Sequence, residues 1–439
     1  MSERRNLIKN LFSLGVIQIA NFAMPLISFP IISRIIGPEK FGIIQYANAF
    51  VAYFNVFIGY GFNLTATRRV VRNPGNKQLM NEVFSEVFFC QLILFFISSV
   101  CLFAITFTVP ALAADKKIAF CSFIFCISSL LTQNWVFQAM QDLSKVMVLN
   151  LSGKVIYLIM VLSIINNDHL YYWQPLSLSI TQILVGVCSF LWVKKIYHIR
   201  LLTVSISKCL HILWSEKHVF FSLIFSSMYV TANIIVLGLL KRQIEVGYFT
   251  ASQRLISICL QVLTLPLAQV LYPFIGKAFG HSREKGIETA QKIFPVIVTV
   301  SLLMSLGIFL LADPVLTIFY GSKFQDSIKI FKILSFIPFI SCINNMIGIQ
   351  FMLNLKMDSL YFRIMSIATL SSIAINFLMT YMWDYQGTAF AWLITEVLIF
   401  VLLYLNITKK GITVFHSDYF SKTYFRNLKL TFSKKYNKP

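Results

Sequence analysis

The stretch "FPIISRIIGPEKFGII" (Phe29–Ile44) sets two apolar runs on either side of Gly37-Pro38, with Arg34, Glu39 and Lys40 crowded at the junction. In a soluble protein this would be a hinge between core helices. In a membrane protein it is the outer turn of a hairpin, and Arg34 then lies beside lipid. The remainder of the chain decides between them. Of 439 residues, 57% are hydrophobic and only 13% charged, 42 are Phe, and the mean hydropathy is +0.74. A soluble domain carries about 25% charged residues. Apolar runs of about 20 residues recur along the whole length, each sufficient to cross a hydrocarbon core of about 30 Å. The pattern is that of an all-α polytopic membrane protein, because a membrane β-barrel would alternate over segments of about 10 residues.

The apolar runs predict twelve spans, near residues 11–36, 41–65, 81–109, 118–140, 147–166, 174–193, 219–240, 247–275, 292–312, 330–354, 361–382 and 387–407. Pro25, Pro30, Pro266, Pro273, Pro295 and Pro338 fall inside these runs and are candidate kinks. "MSERRNLIKN" enters the first span with no small-residue cleavage site, so that span is expected to be retained. The net charge of +21 is unevenly placed: 28 of the 38 Lys and Arg fall on the side of the termini and nine on the other, with Arg254 inside a span. That bias orients the chain with both termini in the cytoplasm, and it accounts for the basic charge without nucleic acid. Gly37-Pro38 then turns on the outer face, where Arg34 reaches the headgroups by snorkelling.

The expected organisation is a first six-helix bundle (1–193), a cytoplasmic linker (194–218), a second six-helix bundle (219–408) and a basic cytoplasmic tail (409–439). In the linker, Leu210, Leu213 and Trp214 beside Lys217 suggest a short helix in the inner interface. The tail interleaves Phe425 and Leu428 with lysines in a similar way. Internal similarity links the halves. "KFGIIQYANAF" (Lys40–Phe50) aligns with "EVGYFTASQRL" (Glu245–Leu255), pairing Gly42 with Gly247. The same register pairs Arg72 with Lys277, and a second alignment pairs Gln138 with Gln350. Six spans per half give both halves one orientation, so the expected repeat is parallel, related by a pseudo-twofold along the membrane normal.

Several activities are disfavoured. No G-x-x-x-x-G-K-[ST] loop is present to cradle a nucleotide phosphate. The acidic residues are scattered, without the clusters that hold a catalytic metal, and the eight Cys show no metal or redox spacing. Neither an enzyme nor a bound cofactor is expected.

Attention therefore falls on polar groups inside the spans, where an ionisable residue is costly and functional by default. Arg254 lies six residues beyond Tyr248, about 9 Å into its helix at 1.5 Å per residue. Gln18 and Asn21 share a face of the first span, and Asn233 lies in the seventh. Lys154 and Arg363 occupy similar inner positions in the two halves, and Glu396 lies in the last span. Each also has a purely structural reading: snorkelling for the two cations, interhelical hydrogen bonding for the amides, an internal ion pair for Glu396. Together they describe a cationic, hydrogen-bonding lumen for an anionic, hydroxyl-rich cargo.

"SRIIGPEKFGIIQYANAF" (Ser33–Phe50), "GYGFNLTATRRV" (Gly59–Val70), "WVFQAMQ" (Trp135–Gln141), "VGYFTASQRL" (Val246–Leu255), "LPLAQVLYP" (Leu265–Pro273) and "GTAFAWLITE" (Gly387–Glu396) resemble Wzx-type O-antigen flippases. The resemblance covers nearly the whole chain. It implies a MATE-like fold of twelve helices in two bundles, alternating access, and translocation of undecaprenyl-diphosphate-linked oligosaccharide across the bacterial inner membrane. It further implies membrane lipids as partners, a proton or sodium counter-ion with Glu396 as its coupling residue, and an O-antigen polymerase complex. Arg254, Arg34, Lys154, Arg363, Gln18, Asn21 and Asn233 are the expected substrate-binding residues. Two positions depart from the pattern: Ala139 where Gly is frequent, and Asn233 where relatives often carry Asp. The second puts any coupling through that Asp in doubt here. Export of capsular, exopolysaccharide or teichuronic acid precursors is the alternative transport reading. An O-antigen polymerase would require a large outer loop with arginines, and a drug exporter for apolar cations would carry acidic groups in place of Arg254.

Overall fold

The computed structural model describes the backbone of residues 2–73 and 75–420, with side chains except those of 2–20, Phe22, Ser226, Tyr229, Val230, Ser417 and Phe420. Phe425 and Leu428 of the expected tail lie outside the described residues. In chain order the helices are α1 (Ser2–Gly59), α2 (Phe62–Val71), α3 (Lys77–Thr108), α4 (Pro110–Ala113), α5 (Lys116–Phe123), α6 (Cys126–Leu131), α7 (Asn134–Ala139), α8 (Leu143–Ile164) and α9 (Trp173–Tyr197). They continue with α10 (Ile206–Ser215), α11 (Lys217–Leu240), α12 (Gln243–Pro266), α13 (Tyr272–His281), α14 (Arg283–Leu310), α15 (Ala312–Tyr320), α16 (Asp326–Leu334), α17 (Ile337–Asn345) and α18 (Asp358–Thr408). Among the described residues, nine helical segments are long and apolar enough to cross a membrane, so the all-helical membrane class stands.

Two of the nine, Ala23–Val71 and Asp358–Thr408, are 49 and 51 residues long, far beyond the length of one crossing. Each contains a break. In α1 the break is Gly37 alone (φ 78°, ψ 171°), a conformation open essentially only to glycine. Helix resumes at once at Pro38, whose fixed φ and missing N–H suit a first helical position. In α18 the break is Trp383-Asp384, the latter at φ 52°, and the chain turns back so closely that a Cβ on Gly387 would lie 1.9 Å from the Met379 carbonyl.

The fourth expected span, 118–140, is in fact three short helices, α5 to α7. No proline breaks it, and a glutamine side chain lies at the second of its two breaks. Gln133 donates through Nε2 to the Leu130 carbonyl at 2.7 Å and accepts from Trp135 Nε1 at 2.6 Å, replacing the lost backbone bonds with side-chain ones. The tenth is likewise divided, into α16, α17 and a π-helical segment, Met346–Leu353. A second π segment, Leu267–Leu271, follows Pro266. Gln350 ties the two together, its Nε2 donating to the Leu267 carbonyl at 3.1 Å.

By internal packing the chain forms two compact units. One runs to Thr250 and includes Ile318–Phe324; the other comprises Ala251–Thr317 and the chain from Gln325 onward. Within the first, Gly42 and Gly247 make a reciprocal crossing. A Cβ on Gly42 would fall 1.8 Å from the Gln243 carbonyl, and one on Gly247 would fall 1.9 Å from the Pro38 carbonyl. Each glycine thus meets the residue four before the other, and exchanging the two helices exchanges the contacts. Phe41 packs in the same unit against Tyr320 and Phe324. Lys40 Nζ reaches Asp168 Oδ2 at 2.6 Å, and that hydrogen bond holds the Asp168 carboxyl below its ordinary pKa. Within the second unit, Ser252 Oγ donates to the Ser327 carbonyl at 2.8 Å and Lys332 pairs with Asp313 at 2.6 Å.

Candidate substrate-binding site

In the first unit the structure joins two of the expected site residues. Lys154 of α8 donates through Nζ to Asn21 Oδ1 of α1. At the neighbouring position α8 lies tight on α9, where a Cβ on Gly153 would lie 2.5 Å from Val185 Cγ2. The side chain of Gln18 lies outside the described residues, although its backbone continues the helix that carries Asn21. Asn233 is buried on α11, 7% exposed.

Arg34 has a structural task. Its guanidinium donates through Nε to the Phe319 carbonyl at 3.2 Å and through Nη2 to the Ile318 carbonyl, both in the last turn of α15. The closing carbonyls of a helix carry partial negative charge and lack intrahelical partners, so a cation there is favourable.

Arg254 of α12 stands alone in its neighbourhood as an exposed residue: Ala251, Ser252, Gln253, Leu255 and Ile256 are all buried. Arg363, near the start of α18, is also exposed. Glu396, further along α18, is 5% exposed and is held by a residue the sequence reading passed over. Asn344 of α17 donates through Nδ2 both to Glu396 Oε2 at 2.8 Å and to the Glu396 carbonyl at 3.0 Å. With Nδ2 so committed, Asn344 Oδ1 is buried with no hydrogen-bond partner among the described residues. A carboxylate and an orphaned amide oxygen together suit a proton or a small cation. The signal for Asn344 was present as the polar pair Asn344-Asn345 inside an apolar run. Another buried carboxylate, Glu86 of α3, was also missed; it lies between Arg69 and Lys208.

Among the described residues no three His, Cys, Asp or Glu side chains gather to hold a metal. What the spans offer is cations (Lys154, Arg254, Arg363), amides and two buried carboxylates, Glu86 and Glu396.

Known proteins share this fold and sequence. A transporter of the multidrug resistance MATE family of the MOP superfamily, solved inward-facing, aligns with TM-score 0.67 at 13% identity, covering 91% of this chain and 98% of its own. The lipid II flippase MurJ, in an inward closed conformation, aligns with TM-score 0.64 at 14% identity, covering 95% and 91%. In sequence, the chain is 26% identical over 413 residues to a protein of Escherichia coli (strain K12) named "Putative O-antigen transporter", covering 94% of this chain and 99% of that one. A Shigella dysenteriae protein of the same name is 23% identical over 407 residues, covering 91% and 100%. The family described as "Polysaccharide biosynthesis protein" matches residues 7–279, well over half of the sequence, and the chain belongs to that family.

Proposed function

We propose that this protein is a flippase that carries undecaprenyl-diphosphate-linked O-antigen repeat units from the cytoplasmic to the periplasmic leaflet of the inner membrane. The observation that carries the substrate class is Arg254, an exposed arginine flanked on α12 by the buried run Phe249–Gln253 and by Leu255 and Ile256. A guanidinium fork matches two oxygens of a phosphate, and its charge favours a dianionic diphosphate over a cation. The relatives named as O-antigen transporters, which match along nearly their whole length, support the cargo. Lys154 with Asn21, Arg363, Gln18 and Asn233 supply the remaining charge and hydrogen bonds for sugars. Arg34 assists from the end of α15.

The architecture proposed with it has twelve crossings in two six-helix bundles working by alternating access. Supporting that count, the two longest helices each contain a sharp break, and α11 is a further apolar helix. The reciprocal crossing at Gly42 and Gly247 falls in the register that aligns the two halves, as expected of a pseudo-twofold repeat. Glu396 with Asn344 is the proposed coupling site for a proton or sodium ion, and an O-antigen polymerase complex is the proposed recipient of the translocated unit.

The test is surface polysaccharide in a flippase-deletion strain complemented at matched protein level. Arg254→Lys keeps charge without the fork and should retain part of the activity; Arg254→Ala should lose most of it, and Arg34→Ala less. Full polysaccharide from Arg254→Ala would refute the site. In parallel, Glu396→Gln in liposomes should remove the ion-dependent component of transport.

A further inference from the structure

α10 leaves an apolar stripe uncovered. Ile206, Leu210 and Trp214 are spaced four apart, on one helical face, and are 69%, 57% and 71% exposed. The opposite side is buried. Cys209 is 1% exposed, with its carbonyl accepting from Cys90 Sγ of α3 at 3.7 Å, and Tyr60 Oη donates to the Leu213 carbonyl at 2.8 Å. A buried carboxylate fixes the roll of the helix: Glu86 of α3 receives Lys208 Nζ on Oε1 at 2.7 Å and Arg69 Nη1 on Oε2 at 2.8 Å. The approach to α10 is pinned too, with the Arg200 N–H donating to Asn81 Oδ1 at 2.9 Å and the Leu202 N–H to Ser85 Oγ at 2.8 Å. The stripe is therefore held outward by specific contacts.

Charge identifies what covers it. Between Lys194 and Lys217 the chain carries Lys194, Lys195, Arg200, Lys208 and Lys217 against the single acid Glu216. A second copy of the chain would bring these cations face to face with themselves, since a twofold contact uses the same patch on both partners. A negatively charged surface has no such penalty. Lys217 Nζ lies 3.5 Å from the centre of the Trp214 ring. An indole with a cation on its face suits the boundary between acyl chains and headgroups.

We propose that α10 docks on anionic phospholipid of the surrounding membrane, with Ile206, Leu210 and Trp214 in the acyl boundary and the flanking Arg200 and Lys217 on lipid phosphates, while Lys208 stays on Glu86. The helix thereby becomes a lipid-sensing surface separate from the transported cargo.

The experiment uses the full-length protein in vesicles of phosphatidylcholine and phosphatidylglycerol at equal mole fraction, with bromine on the acyl chains of one lipid at a time. Emission of the protein minus that of Trp214→Phe isolates Trp214. The expected result is loss of that emission to brominated lipid, greater when phosphatidylglycerol carries the bromine, and little loss to aqueous iodide. Placing Trp at the neighbouring stripe position, Leu210→Trp in the Trp214→Phe background, should restore a lipid-quenched component. Quenching by iodide alone, or by neither agent as under a protein partner, overturns the proposal. Equal quenching by the two lipids overturns the anionic preference.

Discussion

Arg34 is the instructive single residue. Its sequence setting, at the outer end of an apolar run, suggests only a cation reaching for headgroups. The structure gives the guanidinium a second helix to complete, 284 residues away at Ile318. That partner was hidden from the sequence because nothing local to Arg34 announces the end of α15. Glu396 and Asn344 teach the same lesson: each is visible as a polar residue in an apolar helix, but their pairing depends on how α17 and α18 pack. Where charge is local, pH behaviour can be stated. The Lys40 hydrogen bond lowers the Asp168 carboxyl, so the stabilisation from this pair is present above the unfolded carboxylate value of 3.8 and is lost as pH falls through the lower folded value. Lys40→Gln should therefore unfold earlier than the parent at neutral pH, by a margin that shrinks to nothing in strong acid. A margin in melting temperature that is constant from neutral pH to pH ~2 would contradict this.

Among the elements, breaks made by backbone chemistry were legible and breaks made by side chains were not. Gly37-Pro38 signals its turn by composition, and polar Asp384 with Gly387 marks the other. The interruption at Gln133 came without warning, because a glutamine in an apolar run predicts nothing until its amide finds the Leu130 carbonyl. The stripe on α10 shows a finer error: Leu210 and Trp214 are exposed as a face, but their third member is Ile206, and Leu213 turns inward. Two glycines five residues apart separate the physical reasons for needing glycine. Gly37 has open space where a Cβ would go and needs only its positive φ, so Gly37→Ala should cost about 1–3 kcal/mol of conformational strain. Gly42 has ordinary helical geometry and no space, so Gly42→Ala forces a Cβ onto the Gln243 carbonyl and should be the more damaging. Thermal unfolding in detergent of the two variants would measure the order, and Gly42→Ala at parental stability would show that the crossing yields.

For the whole molecule, composition alone was sufficient for the membrane class, since no soluble chain sustains apolar runs of this length. The number of crossings is harder to read from either source, because a helix that bends sharply and continues is one element in hydrogen bonding and two in topology. Charge supplies the missing direction. With 28 cations on the side of the termini and nine on the other, reporters fused after Lys40 and after Lys410 should report opposite compartments. Both reporters in one compartment would overturn the proposed orientation.

The paired π segments have a consequence for how this chain tolerates changes of length. A π turn fits more residues into a turn than an α turn does, so each segment stores slack in the helix. Deleting one residue from an ordinary membrane helix swings everything beyond it by about 100°, carrying lipid-facing side chains inward. Deleting one within Leu267–Leu271 or Met346–Leu353 can instead take up that slack and leave the flanking helices in their present rotation. These two places, joined through Gln350 and the Leu267 carbonyl, are where a shortened descendant of this sequence could survive.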